Sequence, residues 1–413
     1  MCAQATIVRK ARLGLLLMYA IAMLLGIFSG LSDIALLQNT GILISEIFIK
    51  IFKAISLPII SLSLIVVLSQ HSAKKGMHRI WQRTLVYTIS TTVIAAAVAC
   101  ALYLLIAPPN MRVMAAQTNA PAITHEGYFL HLSNIIPSNI FAPFLEHQVM
   151  GVLLISMVVG IAIRYIRDTA SRDAIGGFFK GAHALFLVIT GWVVNIIPIA
   201  LFGFITAAVV EMKSGANFSG LGKYLGVIVL ANLVQGFIIL PIWLKTNGIH
   251  PFKTMRGMFP ALSIAFFSKS SAGTLPVTIE NAEKNLKIHP RISKFVLPLC
   301  TTINMNGCAA FIFTTVIYLM QNNGIDITFS TMVTWIGIAT IAAIGNAGVP
   351  MGCFFLSASL LASMNVPIVL LGLILPFYTL IDMIETALNV WSDSCVATVV
   401  DKKMALLPEN ASS

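Results

Sequence analysis

Long apolar runs separated by short polar connections dominate this chain. Runs centred on Leu13–Phe28, Ile47–Leu68, Leu85–Ile106, Val149–Ile163, Ala184–Val210, Leu225–Trp243, Phe295–Met320 and Val366–Val400 recur along it. Most are near or above the ~20 residues that carry a helix across hydrocarbon. Up to Trp243 the pattern predicts six mostly conventional spans, with kinks at or beside Pro58, Pro198 and Pro241. After Pro251 the pattern changes. Two apolar segments, Gly257–Val277 and Met332–Ser363, are interrupted by Ser268-Lys269-Ser270-Ser271-Ala272-Gly273-Thr274-Leu275-Pro276 and by Gly345-Asn346-Ala347-Gly348-Val349-Pro350. Non-helical backbone at membrane depth survives only where protein or a water-filled cavity satisfies it. Two such segments in matching positions, each followed by a long helix, point to the binding site of a secondary transporter. Two plain kinked helices are the simpler alternative.

The last apolar run carries three of the chain's fifteen acidic residues. Asp382, Glu385, Thr386, Asn389 and Asp393 fall at +3, +4, +7 and +11 from the first, which is one stripe of an α-helix. A carboxylate near the bilayer centre costs at least ~2.5–3.5 kcal/mol on insertion scales, so this stripe needs polar partners or cations. It is either a polar seam between helices or a cation or substrate pathway. The preceding helix has its own polar interruption, Thr302-Ile303-Asn304-Met305-Asn306-Gly307. Hydroxyl, amide, carboxylate and carbonyl oxygens suit a hard cation such as sodium. Half-helix N-termini at the broken segments suit a substrate carboxylate. Together they describe cation-coupled uptake of a small carboxylate-bearing solute.

Composition agrees. Of 413 residues 58% are hydrophobic and 10% charged, with a mean hydropathy of +0.91, against about 25% charged in soluble domains. The net charge of +11 would suggest nucleic acid in a soluble protein, but its placement is topological. Arg9, Lys10 and Arg12 precede the first run; Lys74, Lys75, Arg79 and Arg83 follow the second; Lys402 and Lys403 lie near the end. The connections Ser29–Glu46 and Gln321–Ser330 carry neither Lys nor Arg. That alternation predicts cytoplasmic termini and places the polar excursion Pro108–Pro137 outside. The first run lacks a convincing cleavage pattern and reads as an uncleaved helix. Six cysteines show no CxxC or Cys/His spacing, so neither a disulfide framework nor a zinc site is expected.

These motifs resemble the dicarboxylate/amino acid:cation (sodium) symporters. Ser270–Thr278 is similar to the tip of that family's first re-entrant hairpin, and Thr302–Gly307 to its seventh-helix TINMDG motif. Ala347-Gly348-Val349-Pro350 resembles the second hairpin tip, and Asp382, Thr386, Asn389 and Asp393 the eighth-helix pattern. Phe52-Lys53…Pro58 and Tyr87…Thr91-Thr92 fit as well. The resemblance implies an all-α polytopic membrane protein with eight transmembrane helices plus two re-entrant hairpins. It implies an inverted-repeat elevator-type transporter assembled as a homotrimer. Residues 1–413 would form one transporter domain, with 1–107 and 142–245 mainly helices one to six, scaffold with parts of the transport domain, and 257–401 the transport core of hairpin 1, helix 7, hairpin 2 and helix 8.

Carried over by resemblance, Asn304, Asn389 and Asp393 would bind one sodium ion. Thr302 with the backbone of Ala343, Ile344 and Asn346 would form a second site, and Thr91 and Thr92 belong to a third. Ser271, Thr386 and Asn389 would hold the substrate's α-carboxylate and amine, with Asp382 on the amine. Ser270, Cys308, Gly348, Val349 and Glu385 complete the implied substrate set. Three positions depart from the acidic amino acid pattern: Glu385 replaces its arginine, Cys308 its threonine and Asn306 its aspartate. Glu385-Thr386-Ala387-Leu388-Asn389 resembles instead the bacterial serine/threonine–sodium symporters. The expectation is therefore sodium-coupled symport of small neutral amino acids across the inner membrane, with no organic cofactor and no nucleic acid partner. A glutamate, aspartate or dicarboxylate symporter driven by sodium or protons is the alternative. A channel is the reading from another class. A multi-pass enzyme is disfavoured, since no HExxH or nucleophile–base pair is present.

Overall fold

The computed structural model describes residues 18–69, 78–110, 139–145, 149–213, 219–344, 346, 351–363, 366 and 369–405. Among these every regular element is helical. Apart from the single turn Ala142–Leu145, they are in chain order α1 (Met18–Leu31), α2 (Ala35–Ser69), α3 (His78–Ile106), α4 (Val149–Tyr165), α5 (Thr169–Asn195), α6 (Ile197–Lys213) and α7 (Ser219–Val234). A π turn, Gln235–Ile239, joins α7 to α8 (Leu240–Thr246). Then come α9 (Pro251–Ser268), α10 (Ser271–Lys284), α11 (Pro290–Ile303), α12 (Asn306–Asn322), α13 (Phe329–Ile344), α14 (Gly352–Ser363) and α15 (Val369–Ala405). The length and apolarity of several of these helices are those of a multi-pass membrane protein.

Local chemistry sets the helix ends. His250 and His289 each precede a proline that occupies the first helical turn, where a missing N–H costs nothing. Each histidine also accepts a backbone N–H, from Lys253 at 3.4 Å and from Arg291 at 3.1 Å. Lys269 ends α9 in the left-handed region (φ 56°, ψ 29°). Ser270 then starts α10, its Oγ accepting the Gly273 N–H at 3.0 Å. Asn304 and Met305, at φ −103° and −106°, separate α11 from α12.

Several spans differ from the hydropathy reading. The expected connection Ser29–Glu46 is mostly helix, since α1 runs to Leu31 and α2 starts at Ala35. The run Ala184–Val210 is split between α5 and α6, which meet at Ile196 just before Pro198. Phe295–Met320 is likewise two helices rather than one interrupted helix.

Burial sorts the helices. The apolar window within Pro290–Asn322 is 100% buried, whereas that within Thr169–Val193 is 6% buried, so α11–α12 form the centre and α5 the periphery. The helix α15 joins three apolar clusters, one of them Leu388, Trp391, Cys395 and Val399 with Leu240 and Leu244 of α8. Ile374, Leu375, Tyr378 and Ile381 join a large cluster built with α2, α3, α7, α12 and α14. Val396, Ala397 and Val400 join a second, with α9, α10 and α11. The polar stripe lies between these two anchorages, which fixes its position along the molecule.

The peripheral helices pack through small residues, as expected where lipid supplies no hydrophobic drive between helices. A Cβ on Gly203 of α6 would lie 2.8 Å from the Gly41 carbonyl oxygen and 2.8 Å from the Ser45 nitrogen of α2. These are backbone atoms that cannot yield. Gly203→Leu should cost about 1–3 kcal/mol, the usual range for overpacking, and lower the detergent melting temperature without altering helical content. An unchanged melting temperature would contradict this close crossing of α2 and α6.

Candidate functional site

The site is built on α15, where Asp382, Glu385, Thr386, Asn389 and Asp393 are all buried. Asp382 is 4% exposed, and Glu385 and Asp393 are each 1% exposed. The three salt bridges among the described residues, Arg172–Asp173, Lys213–Asp33 and Lys284–Glu280, involve none of them. Three carboxylates are therefore buried without a cationic partner.

Asp393 heads the first group of contacts. The break between α11 and α12 turns Asn304 inward, and its Nδ2 donates to Asp393 Oδ1 and to Ser392 Oγ, each at 2.9 Å. The Thr91 hydroxyl of α3 donates to Asn304 Oδ1 at 3.0 Å. Asn306 Nδ2 also donates to Ser392 Oγ. The Oδ1 of Asn306 is buried without a hydrogen-bond partner among the described residues, as are Asn232 Oδ1 and Gln235 Oε1. Gln235, in the π turn, donates from Nε2 to the Thr91 carbonyl at 3.1 Å. π turns recur at functional sites because they free backbone and re-aim side chains. Asp393 thus lies in a network of hard-oxygen groups from Asn304, Ser392 and Thr91. This donor set fits a small hard cation.

The second group lies one turn along α15. Asn389 Oδ1 accepts the Gly307 N–H at 2.9 Å, a donor that a continuous helix would aim at the Ile303 carbonyl. Gly307 is required here. A Cβ would lie 2.8 Å from the Glu385 Cα and 2.9 Å from Asn232 Oδ1, so α12 approaches α15 as closely as backbone permits.

The third group surrounds Asp382 and Glu385. Asp382 Oδ2 accepts the Met351 N–H at 3.2 Å, and the Thr386 hydroxyl donates to the Asp382 carbonyl at 2.7 Å. Tyr378 donates to Glu385 Oε2 at 3.3 Å, while Oε1 is buried with no partner among the described residues. Asn346 Nδ2 donates to Cys308 Sγ at 2.8 Å and to Cys353 Sγ at 3.2 Å. Lys269 forms no salt bridge among the described residues.

The structure thus brings together Thr91, Asn304, Asn389, Asp393, Cys308, Asp382, Glu385, Thr386 and Asn346 on or around α15. Thr302 donates to its own helix at Leu299, 2.8 Å away, and Thr92 to Thr88 at 2.8 Å. Ala343 is buried, and Ile344 packs against Leu299 and Ile303 beside Thr302. Ser271 is buried and Ser270 caps α10. Gly348 and Val349 lie outside the described residues.

One expectation is corrected. The sequence indicated no disulfide, yet Cys308 and Cys353 are joined, their Cα atoms 5.4 Å apart. They are 45 residues apart in sequence, so only tertiary packing of α14 on α12 unites them. Sequence reasoning also missed Ser392, Tyr378, Asn232 and Gln235. Ser392 and Tyr378 carried a signal: they stand at +10 and −4 from Asp382, on or beside the same stripe. Asn232 and Gln235 are polar residues three apart inside the apolar run Leu225–Trp243, but which helix they face depends on tertiary packing.

These features describe an all-helical, strongly apolar chain with a buried hard-oxygen centre. The profile of the sodium:dicarboxylate symporter family matches residues 15–403, and the chain belongs to that family. The human neutral amino acid transporter B(0) is 27% identical over 84% of this chain and 71% of its own length. The human neutral amino acid transporter A is 29% identical over 61% of this chain and 48% of its own. A Caenorhabditis elegans chain, glt-4, provisionally named a sodium-dependent excitatory amino acid transporter, is 32% identical over 62% of this chain and 51% of its own. In the latter two matches the chain spans about half the length of its relative.

Ser392 accepts from two buried amides, so Ser392→Ala leaves two donors unpaired. A buried unsatisfied donor costs about 1–3 kcal/mol. In sodium-free detergent the variant should unfold at clearly lower temperature than the wild type, and matching curves would contradict the network.

Proposed function

We propose that this chain is a sodium-coupled amino acid symporter of the inner membrane, favouring small neutral substrates such as serine, threonine and alanine. The carrying observation is the set of three buried carboxylates with no cationic partner among the described residues. Sodium at Asn304, Asn389 and Asp393 would neutralise the first group and hold the α11–α12 break in place. Thr302 with the backbone of Ala343, Ile344 and Asn346 would form a second cation site, and Thr91 and Thr92 would contribute to a third. Amino acid would lie between the Ser270–Ser271 tip, Thr386, Asn389, Gly348 and Val349, with Asp382 on its amine.

On this reading residues 257–401 form the transport core, with residues 1–107 and 142–245 mainly scaffold. The topology is eight spans plus two re-entrant hairpins, with both termini cytoplasmic and three copies per assembly. The apolar periphery of α5 supports a lipid or subunit contact there. The cycle needs neither enzymatic chemistry nor an organic cofactor. Closure requires both ligands, so each stabilises the state that binds the other. A channel would use similar oxygens, but its uptake would neither saturate nor concentrate solute. The test is uptake into proteoliposomes under an imposed sodium gradient, with competition by an amino acid panel. Accumulation without a sodium gradient would overturn the reading.

Asp393→Asn should weaken the sodium dependence of uptake about tenfold or more, the scale of a site-to-site coupling energy, while leaving assembly intact. Wild-type sodium affinity in the variant would favour the polar-seam alternative.

Substrate choice rests on Glu385. Its carboxylate replaces the guanidinium that would pair with an acidic side chain. An ionised Glu385 about 4 Å from an acidic substrate side chain would repel it by roughly 4 kcal/mol at an effective dielectric of 20, about a thousandfold in affinity. Serine, threonine or alanine should therefore compete better than glutamate, and Glu385→Arg should shift preference toward acidic substrates. Strong glutamate uptake by the wild type, without competition from serine, would contradict this assignment.

A further inference from the structure

Sulfur, not oxygen, dominates one side of the pocket. Cys308 opens the first turn of α12, Cys353 the first turn of α14, and Glu385 faces both from the middle of α15. Their ligand atoms all lie within 4.8 Å of one another, and all three residues are buried. We propose that Cys308, Cys353 and Glu385 form a binding site for a soft divalent metal, zinc or cadmium, whose occupancy ties α12, α14 and α15 together.

The donor chemistry selects the ion. Thiolates prefer zinc, cadmium and similar metals to sodium, so this site is separate in kind from the oxygen cluster around Asp393. Two sulfurs on one zinc at ~2.3 Å each stand about 3.7 Å apart in a tetrahedron, within the spread of these atoms once the sulfurs are no longer bonded. Glu385 supplies the independent observation: its Oε1 is buried with no hydrogen-bond partner among the described residues. Asn346 supplies the supporting contact. Its Nδ2 reaches both sulfurs, at 2.8 and 3.2 Å, and a donor so placed stabilises thiolate and orients the ligands.

The site opens on reduction, since the two sulfurs are bonded to each other in the structure. A phosphine and one water convert the disulfide into two thiols and phosphine oxide. Metal binding then releases the two thiol protons to solvent. The oxidised chain has no site. Metal occupancy is read on the protein itself, so the inference stands or falls apart from the identity of the transported solute.

The experiment titrates the purified full chain with cadmium chloride, before and after phosphine reduction, following the ultraviolet thiolate-to-cadmium charge-transfer band. One tightly bound cadmium per chain is expected after reduction and none before it. Cys308→Ser/Cys353→Ser should abolish the band, and Glu385→Gln should keep it while weakening affinity about tenfold or more, at the scale of losing a carboxylate partner. A reduced wild type without a band overturns the proposal. So does a double variant with an undiminished one, which would assign the signal to the other cysteines. The comparison of oxidised with reduced wild type decides the matter even if a variant fails to fold.

Discussion

Everything in this molecule is arranged around the cost of keeping three carboxylates away from water. A buried ion unpaired by an opposite charge is among the most expensive features a fold can carry, and α15 carries three within twelve residues, Asp382 to Asp393. The two apolar clusters that clamp α15 above and below the stripe hold these groups inside. The break at Asn304 and Met305 delivers amide donors to them, and Gly307 lets α12 come close enough to do so. In the proposed reading the remaining cost is offset by sodium, which makes order at the site conditional on the coupling ion.

In the proposed reading that condition connects structure to transport. A site complete without cations would bind amino acid at any time and could not be driven by a gradient. Here Asn389 stands between the groups: its Oδ1 holds the Gly307 backbone while its neighbours on α15 face Asn304 on one side and the Cys308–Asn346 region on the other. In the proposed reading a change in the ion group reaches the substrate group through one helix and one backbone hydrogen bond.

Much of this was legible in the chain itself. The acidic stripe is a matter of helical spacing, and the Asn304 and Ser268–Ser271 breaks announce themselves as small and polar residues inside apolar runs. What escaped has a common cause. The α1–α2 turn falls inside the connection expected at Ser29–Glu46 and the α5–α6 split beside the kink expected at Pro198, and hydropathy marks these places without fixing how far helix runs on either side. The Cys308–Cys353 junction and the Asn232–Gln235 neighbours depend on which helices meet, and no local spacing encodes that. Ser392 was hidden for another reason: beside an aspartate, a serine attracts little notice, although it receives as many buried donors as any residue of the site.

The central claim is that sodium ions, rather than protein cations, satisfy the buried carboxylates. Thermal unfolding of the purified chain in detergent, without any amino acid, tests this directly across a range of sodium chloride at ionic strength held constant with choline chloride. Selective binding to the folded state predicts a melting temperature that climbs with the logarithm of sodium concentration above its dissociation constant. Potassium in place of sodium should give little or no rise. Superimposable curves in sodium, potassium and choline would contradict the account.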